Sequence, residues 1–330
     1  MWVEGKGFRS MELHPTPGQA GFTPMDPKVT GVWFTNELRG ELRLTNAVAL
    51  NGAGVAIGDV DGDGRPDVYL CNLEGPNRLY RNLGNWQFEE MALGPAACGN
   101  DLSTGAVFAD VDGDGDLDLL VNGTAAGTRL FLNDGKGKWT EAQTGLSRTA
   151  SATSMALADI DGDGDLDLYC THYIDVMHLA DPTTRFALAK RDGKWEVTKV
   201  NGESTRSPRW KDRFEALPNG KVRELAEVDG FYRNDGRGGF TPIQYEPGLF
   251  QDEHGQPIPP FRDWGLSVMF RDLNGDGAPD LYVCNDMPSP DRIWINSGHG
   301  TFRLLDHYKL RHTSRSAMGV DFAEIGRAHV

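Results

Sequence analysis

One unit recurs four times along the chain, and this self-similarity restricts the fold more than any other feature of the sequence. Each copy opens with a short apolar run ending in Asp, passes through a Gly/Asp loop into a second apolar run, and ends in an aromatic run closed by Asn. The opening residues are Asp59, Asp110, Asp159 and Asp272, and the closing residues are Asn82, Asn133, Asn234 and Asn296. Each copy predicts four short strands rich in Val, Phe, Tyr, Trp and Leu, joined by tight turns.

The strand content and the length of the unit predict an all-β fold. Four antiparallel strands in a unit of about 50 residues correspond to one blade of a β-propeller. We predict an N-terminal extension over 1–30 and an incomplete β-propeller of four-stranded blades over 31–323. A linear solenoid is the alternative, although solenoid coils are usually shorter.

The third copy carries an insertion, which we place at 173–229. Asp159 and Asn234 lie 75 positions apart, whereas 23 or 24 positions separate the corresponding residues of the other copies. The insertion holds 11 Lys and Arg against 10 Asp and Glu, so it is nearly neutral, and its runs RDGKWEV and PNGKVREL predict hairpins. Long insertions in repeat proteins are often functional, and a solvated excursion without a role is the alternative.

Both ends of the chain suggest a fragment. A fifth copy begins at Ser316 with AMGVDFAEI, but Glu324 stands where the first Asp of the loop belongs. The last seven residues, EIGRAHV, look like a translated sequencing adapter, so we exclude 324–330 from the fold. No apolar segment of a signal peptide follows Met1, and we expect the natural N-terminus to be missing as well.

The loop of each copy follows the pattern D-x-D-G-D-G-x-x-D, which predicts a calcium site. Ca²⁺ is a hard cation that takes about 6–8 oxygen ligands, and acidic side chains at positions 1, 3 and 5 can turn their oxygens inward from a tight loop. Position 9 can complete the shell with both carboxylate oxygens. The predicted side-chain ligands are Asp59, Asp61, Asp63 and Asp67; Asp110, Asp112, Asp114 and Asp118; Asp159, Asp161, Asp163 and Asp167; and Asp272, Asn274, Asp276 and Asp280.

Position 7 of the loop is predicted to contribute a backbone carbonyl oxygen. The residues at this position are Arg65, Asp116, Asp165 and Ala278, and an Arg side chain cannot bind a cation. Positions 4 and 6 are Gly in all four loops, which predicts backbone conformations with positive φ. Position 2 is always apolar, which predicts a side chain that fixes the loop to the core.

The loops do not fit an EF-hand, which needs Glu at position 12 and flanking helices. Position 12 is Leu70, Val121, Cys170 or Val283, and the flanking segments are strand-like. Mg²⁺ prefers rigid octahedral sites and fits less well, and a polar loop without metal is the remaining alternative. We predict about four structural Ca²⁺ sites, the weakest in the fourth loop, where Asn274 replaces an acid.

The charge of the chain limits its partners. The net charge is −15, and 17 of the 48 acidic residues are Asp in the four loops, so the acid is concentrated where the cations are predicted. Such a chain is not expected to bind nucleic acid or an anionic membrane surface. No apolar run reaches the roughly 18 residues of a membrane-spanning helix. We predict a monomer with a protein or carbohydrate ligand.

The cysteines do not follow a zinc or redox motif. Three of them end strand-like runs, where a buried thiol acts as a small apolar residue, and we predict free core cysteines, with a disulfide as the alternative. The four residues are Cys71, Cys98, Cys170 and Cys284.

The loops, the paired apolar strands and the tails such as RLYRN resemble FG-GAP/VCBS repeats, as in integrin α-chain propellers. Three longer phrases are similar to the cartilage-acidic-protein-like bacterial family: FTPMDPKVTGVWFTNEL near the N-terminus, DLYVCNDMPSPDRIWIN at 280–296 and SAMGVDFA at 316–323. The resemblance covers about residues 20–323. It implies a calcium-binding propeller that is extracellular, periplasmic or on the cell surface, without established catalysis, and followed in the family by an ASPIC/UnbV domain. Glu324 departs from the loop pattern, so a fifth site is not predicted.

Two functions remain open at this point. The first is a secreted or surface-attached binding or adhesion module, and the second is a calcium-dependent propeller enzyme, such as a polysaccharide lyase with its active site in the central channel. Convergence of polar side chains on the channel favours the enzyme, and scatter favours the binding module. The candidates are His172, Tyr173, Asp175 and His178, a second cluster at His254, Arg262 and Asp263, and the ligand contacts Asn285 and Asp286.

Overall fold

The computed structural model describes residues 2–5, 8–11, 21–40, 50, 52–286, 288–306, 313–314 and 316–322. The segment 324–330, which we predicted to be foreign to the protein, lies outside the described residues, and so does part of the predicted extension 1–30. Two short strands pair near the N-terminus, β1 (Trp2–Gly5) and β2 (Phe8–Met11), and a four-residue helix follows, α1 (Pro27–Thr30).

Four antiparallel sheets form the body of the protein, one from each copy of the repeat. The first consists of β3 (Val55–Gly58), β4 (Asp67–Leu70), β5 (Arg78–Gly84) and β6 (Gln87–Met91). The second consists of β7 (Leu102–Ala109), β8 (Asp118–Thr124), β9 (Gly127–Asn133) and β10 (Trp139–Glu141). The third consists of β11 (Ala152–Ala158), β12 (Asp167–His172), β18 (Gly230–Asn234) and β19 (Phe240–Pro242), and the fourth contains β21 (Gly265–Arg271), β22 (Asp280–Asn285), β23 (Arg292–Asn296) and β24 (Phe302–Leu304).

The sheets are propeller blades, which confirms the predicted all-β fold. The four repeat strands of each blade are hydrogen-bonded in sequence order, apart from the interruption in the third blade. The first strands contact one another in the order β3, β7, β11, β21 and therefore form the innermost layer. Each loop with the D-x-D-G-D-G-x-x-D pattern joins the first strand of a blade to the second.

The apolar core lies between the faces of successive blades. Tyr69 and Leu79 of the first blade pack with Leu119, Phe131 and Trp139 of the second. Equivalent clusters join the second blade to the third and the third blade to the fourth. Because successive strand residues point to opposite faces of a sheet, each central blade contributes to two of these layers. The blades are therefore held face to face by buried apolar area, as in other propellers.

The fourth sheet has five strands instead of the predicted four. A two-residue strand, β20 (Phe250–Gln251), adds to the outer edge and runs parallel to β24. Phe250 is buried and its ring lies 4.7 Å from that of Trp294. The segment before the fourth blade forms a strand because its aromatic residue fills the core of the blade.

The inserted segment builds two small sheets outside the blade. One contains β13 (Phe186–Arg191), β14 (Lys194–Val200) and β15 (Glu203–Ser204), and the other contains β16 (Phe214–Ala216) and β17 (Val222–Glu224). Both predicted hairpins are present, with positive φ at Gly193 and Gly220 in their turns. The four cysteines are free and buried, as predicted.

Candidate metal centres

Three of the loops bring carboxylates from positions 1, 3 and 9 together, so that one oxygen of each lies within 4.8 Å of the others. The three groups are Asp59, Asp61 and Asp67; Asp110, Asp112 and Asp118; and Asp159, Asp161 and Asp167. Since the first and last members of each group flank a tight loop between two paired strands, the sheet itself fixes their separation. Such groups could hold a metal ion.

Positive φ angles at both loop glycines allow the backbone to fold around the acidic groups. In the first loop the angles are 71° at Gly62 and 85° at Gly64, and the other three loops repeat the pattern. Gly64 N donates to Asp59 Oδ2 at 2.8 Å, and equivalent bonds occur in the other loops. These angles confirm the prediction for positions 4 and 6. A residue with a Cβ rarely adopts this conformation, which explains the Gly at both positions.

Position 9 is the first residue of the second strand and is completely buried in all four blades. In the second blade, Asp118 Oδ2 accepts the backbone N–H of Val111 at 3.1 Å, and its Oδ1 accepts that of Asn133 at 3.0 Å. Burial and the nearby carboxylates of Asp112 and Asp114 raise the pKa of Asp118 to about 6, against the lowering effect of the two hydrogen bonds. These two hydrogen bonds connect the loop to the third strand of the blade. Each carboxylate oxygen retains a lone pair that could bind a cation.

Position 5 lies outside the grouped carboxylates of the three loops. In the second loop, Asp114 Oδ1 accepts the backbone N–H of Asp116 at 2.9 Å, and the same bond links positions 5 and 7 in the other loops. The Asp116 carboxylate lies against Gly135 in the last turn of the same blade. The side chain at position 7 is therefore directed away from the group, and the predicted role of its carbonyl oxygen stays a prediction.

The fourth loop differs from the other three. Among the described residues, Asp272, Asp276 and Asp280 do not form a group of this kind. Asn274 brings an amide in place of a third acid, and its Nδ2 donates to Asp276 Oδ2 at 2.8 Å. The substitution thus removes one charge and occupies an oxygen of a second predicted ligand, and the weak fourth site stays a prediction.

The closing Asn of a blade links it to the loop of the preceding blade, a role that the sequence did not suggest. Asn133 Nδ2 donates to the carbonyl oxygen of Val60 at 2.8 Å, and Asn234 Nδ2 donates to that of Val111 at 2.8 Å. Both acceptors are the apolar residue at position 2 of a loop, whose side chain is buried. The signal in the sequence was the repeated Asn itself, but its partner carbonyl is found only in three dimensions.

The grouped residues fit a hard divalent cation. Carboxylates this close repel one another unless positive charge or protons balance them. All side-chain donors are oxygens, which Ca²⁺ and Mg²⁺ prefer over softer ligands. In the third loop, Asp161 Oδ1 is buried and has no hydrogen-bond partner, as expected of an oxygen available to a cation.

The residues proposed for an enzyme pack as structural groups. His172 is buried, and its Nδ1 lies 2.7 Å from the carbonyl oxygen of Val228. Burial lowers the pKa of His172 to about 4, so the ring is neutral at pH 7. Tyr173 donates from its hydroxyl to Asp286 Oδ2 at 3.0 Å, and its ring packs edge-on against Trp264.

The other two members of this cluster fix the base of the insertion. Arg213 Nη2 donates to Asp175 Oδ1 at 2.6 Å. The His178 ring lies 4.9 Å from that of Trp210 in an edge-on contact. Each of the four candidates therefore contacts a different structural group.

The second cluster is also dispersed. His254 is 77% exposed, whereas Asp263 accepts a hydrogen bond from Arg292 Nε at 2.8 Å. Arg262 donates to a backbone carbonyl of the insertion. Asn285 is the last residue of β22 and is buried, and its role as a ligand contact stays a prediction.

The innermost strands surround an axial cavity of about 360 Å³. Within the part of the chain that the structure describes, its lining has no titratable side chain. The lining residues are Gly52, Ala53, Gly54, Thr104, Thr153, Leu266 and Met318.

Comparisons with known proteins agree with the repeat. The model of the FG-GAP-like repeat matches residues 59–121, 110–170 and 272–326, which together make up just over half of the chain. Among curated proteins, cartilage acidic protein 1 of Mus musculus is 31% identical over 123 residues, 35% of this chain and 18% of that protein. The protein of the same name from Xenopus tropicalis is 31% identical over 108 residues, 30% of this chain and 16% of that protein. The chain thus spans less than a fifth of these relatives.

Two solved structures show a distant likeness. One is an Agrocybe aegerita lectin described as recognising non-reducing terminal N-acetylglucosamine, with 17% identity, a TM-score of 0.31, and coverage of 74% of this chain and 63% of that chain. The other is the V. cholerae biofilm matrix protein Bap1, with 17% identity, a TM-score of 0.29, and coverage of 75% and 38%. At these TM-scores neither structure informs on the ligand of this chain. Within the described residues, no helix has the length and apolar character needed to cross a bilayer.

Proposed function

Because the chain belongs to the FG-GAP-like repeat family, we propose that it is an extracellular calcium-binding β-propeller that serves as a binding or adhesion module. The observation that carries the proposal is the threefold recurrence of one carboxylate group at the same place in successive blades. A single acidic cluster is common on protein surfaces, but repetition at the same backbone position points to a shared ligand. We assign a structural role to calcium, in about four sites.

The size of the expected effect follows from binding linkage. Calcium modules outside the cell bind at roughly 10⁻⁴–10⁻³ M. At a free concentration ten times Kd, each site stabilises the folded state by about 1.4 kcal/mol, and four sites by about 5–6 kcal/mol. This is comparable with the whole stability of a typical domain, about 5–15 kcal/mol. Calcium at such sites would decide whether the blades stay folded.

A binding role is favoured over catalysis by the dispersion of the titratable candidates. A lyase with its active site in the central channel requires acid–base side chains there, and the described lining of the axial cavity consists of Gly, Ala, Thr, Leu and Met. We propose a protein or carbohydrate ligand and a monomeric state. The net charge of −15 disfavours nucleic acid as a partner.

The metal assignment is tested on the full chain by thermal melts in EDTA, in millimolar Ca²⁺ and in millimolar Mg²⁺, with stoichiometry from calorimetric titration. Two variants in the second loop form a matched pair, Asp112→Ala and Asp116→Ala. Asp112 belongs to the carboxylate group, whereas the side chain of Asp116 points away from it. Both remove one negative charge from the same loop.

We expect a calcium-specific rise in Tm and the loss of one bound ion in the Asp112 variant only. A cooperative melt that is the same in EDTA and in calcium would show that the loops are not calcium sites. Equal losses in both variants would show that loop charge, rather than a defined ligand set, attracts the ion. A similar rise with Mg²⁺ would assign the sites to divalent cations in general.

A further inference from the structure

Arginine side chains reach the carboxylate groups of the first and third loops but not that of the second. In the first loop, Arg81 Nε lies 2.6 Å from Asp61 Oδ2, and in the third loop Arg233 Nε donates to Asp161 Oδ2 at 3.2 Å. The Nε–H of Arg81 is not aimed at the oxygen, so this contact is an ion pair rather than a directed hydrogen bond. Both partners occupy position 3 of their loops.

The two arginines occupy the same place in their blades. Each directly precedes the closing Asn of the third strand. The corresponding residues are Leu132 in the second blade and Ile295 in the fourth. The position before the closing Asn is therefore Arg in the first and third blades and apolar in the second and fourth.

The first loop carries a second arginine. Arg65, at position 7, forms an ion pair with Asp63 and donates from Nε to the carbonyl oxygen of Asn82 at 2.8 Å. Arg81 Nη2 also lies 3.7 Å from Asp63 Oδ2. The four aspartates of this loop are thus balanced by two guanidinium groups.

The second loop is the opposite case. It contains five aspartates, because position 7 is Asp116, and among the described residues no Lys or Arg forms an ion pair with any of them. The third loop also contains five aspartates, and Arg233 is their one arginine partner within the described ranges. The local charge is therefore most negative in the second loop, intermediate in the third and least negative in the first.

We propose that Arg81 and Arg233 are internal counter-cations that lower the calcium affinity of their own loops, so that the second loop binds first, the third next and the first later. This inference rests on the proposed calcium binding. A guanidinium group beside a carboxylate repels an arriving cation and holds an oxygen that the cation would use. It also supports the loop before the ion arrives, because it relieves repulsion between the acids.

The test is a reciprocal exchange in the full chain. Arg81→Leu gives the first blade the residue of the second, and Leu132→Arg does the reverse. Arg78→Leu is the control, since it removes the same charge from the same strand, where Arg78 pairs with exposed Glu90. Calcium is titrated into protein labelled with ¹⁵N-glycine, and each loop is followed through its own backbone amide. Gly64 and Gly115 report on the first and second loops, because each donates to a position 1 aspartate.

In the wild-type protein we expect the Gly115 resonance to shift at a lower calcium concentration than that of Gly64. Arg81→Leu should tighten binding at the first loop about tenfold, and Leu132→Arg should weaken binding at the second by a similar factor. Arg78→Leu should leave both midpoints unchanged. Arg233→Leu, read at Gly164, gives a second measurement if the Arg81 variant does not fold.

Simultaneous shifts of all loop glycines in the wild type, or equal midpoints for the Arg81 and Arg78 variants, would overturn the inference. Neither outcome would bear on calcium binding itself. If none of the loop glycines responds to calcium in the wild type, the proposed function fails first.

Discussion

Asn296 Nδ2 lies 2.9 Å from the carbonyl oxygen of Ile160, a residue 136 positions earlier in the chain and in the loop of the preceding blade. The same amide donates to Pro279 O at 3.2 Å in its own blade. One side chain therefore ties two acidic loops together. Because Asn133 and Asn234 donate in the same way to Val60 and Val111, each of the first three loops is linked to the next blade.

Loss of this link should destabilise the protein by more than the loss of an ordinary surface amide. Asn133→Ala leaves the Val60 and Leu117 carbonyls without their buried donor, and we expect a loss of about 1–3 kcal/mol in the free energy of unfolding. Asn82→Ala is the control, because Asn82 Nδ2 donates to Pro66 O in its own blade. Urea denaturation compares the two, and equal losses would contradict a role between blades.

A buried acid links the beginning of the inserted segment to its last hairpin. Glu224 is 3% exposed, and its two carboxylate oxygens accept the backbone N–H groups of His178 at 3.2 Å and Leu179 at 2.9 Å. We expect Glu224→Ala to cost about 2–3 kcal/mol, because two buried donors lose their acceptor. In the neighbouring strand, Glu215 forms an exposed pair with Arg223, and Glu215→Ala should change stability by less than about 0.5 kcal/mol.

Limited proteolysis locates the effect of the Glu224 change. Cleavage confined to the insertion in the Glu224 variant would show that the acid holds this segment together while the blade stays intact. If instead the Glu215 variant is cleaved equally fast, the two hairpins depend on general charge rather than on the buried carboxylate.

The local features of the fold could be predicted from the sequence because they depend on neighbours in the chain. Gly at positions 4 and 6 implies positive φ, and alternating apolar residues imply strands with one face on each core layer. The start of each second strand at the position 9 Asp follows from the same local pattern. Four blades and their loops were therefore predictable one copy at a time.

The features that were missed depend on residues distant in the sequence. The parallel strand at Phe250 forms because it pairs with the last strand of the fourth blade, about 50 positions later in the chain. The acceptors that Asn133, Asn234 and Asn296 reach in the preceding blade lie 73 to 136 positions away. Residues close in sequence, such as His172 and Asp175, acquired separate partners instead of a shared site. A strand period predicts which face a residue occupies, but not which residue of another blade meets it.

The cysteines should be unreactive until the protein unfolds. Burial raises the pKa of each of the four thiols to about 12, so the reactive thiolate is scarce at pH 8. We expect Ellman's reagent to detect almost no thiol in the native protein and four thiols in denaturant without reductant. Two thiols in denaturant would show a disulfide, and rapid reaction in the native state would show that a blade opens readily.

The buried carboxyl group of Asp229 should make the free energy of unfolding depend on pH up to about 8. Asp229 retains some exposure as a residue, but its carboxylate is packed inside, where Oδ1 accepts the N–H of His172 at 2.7 Å and Oδ2 the hydroxyl of Tyr169 at 2.8 Å. Burial, together with the nearby charge of Asp263, raises the pKa of Asp229 from 3.8 to about 8, against the lowering effect of the two hydrogen bonds. The folded protein therefore binds a proton that the unfolded chain has released.

Since the pKa of Asp229 is higher in the folded state, its stabilising contribution is complete below about 4 and is lost as the pH rises to about 8. His172 acts in the opposite direction, because its lowered pKa costs stability only as the pH falls below 6.5. Between pH 6.5 and 8, at constant calcium, we expect the free energy of unfolding to fall by up to about 1.4 kcal/mol per pH unit. Asp229→Asn should remove this slope and exceed the wild type in stability at pH 8, whereas an unchanged slope would assign the dependence to another group.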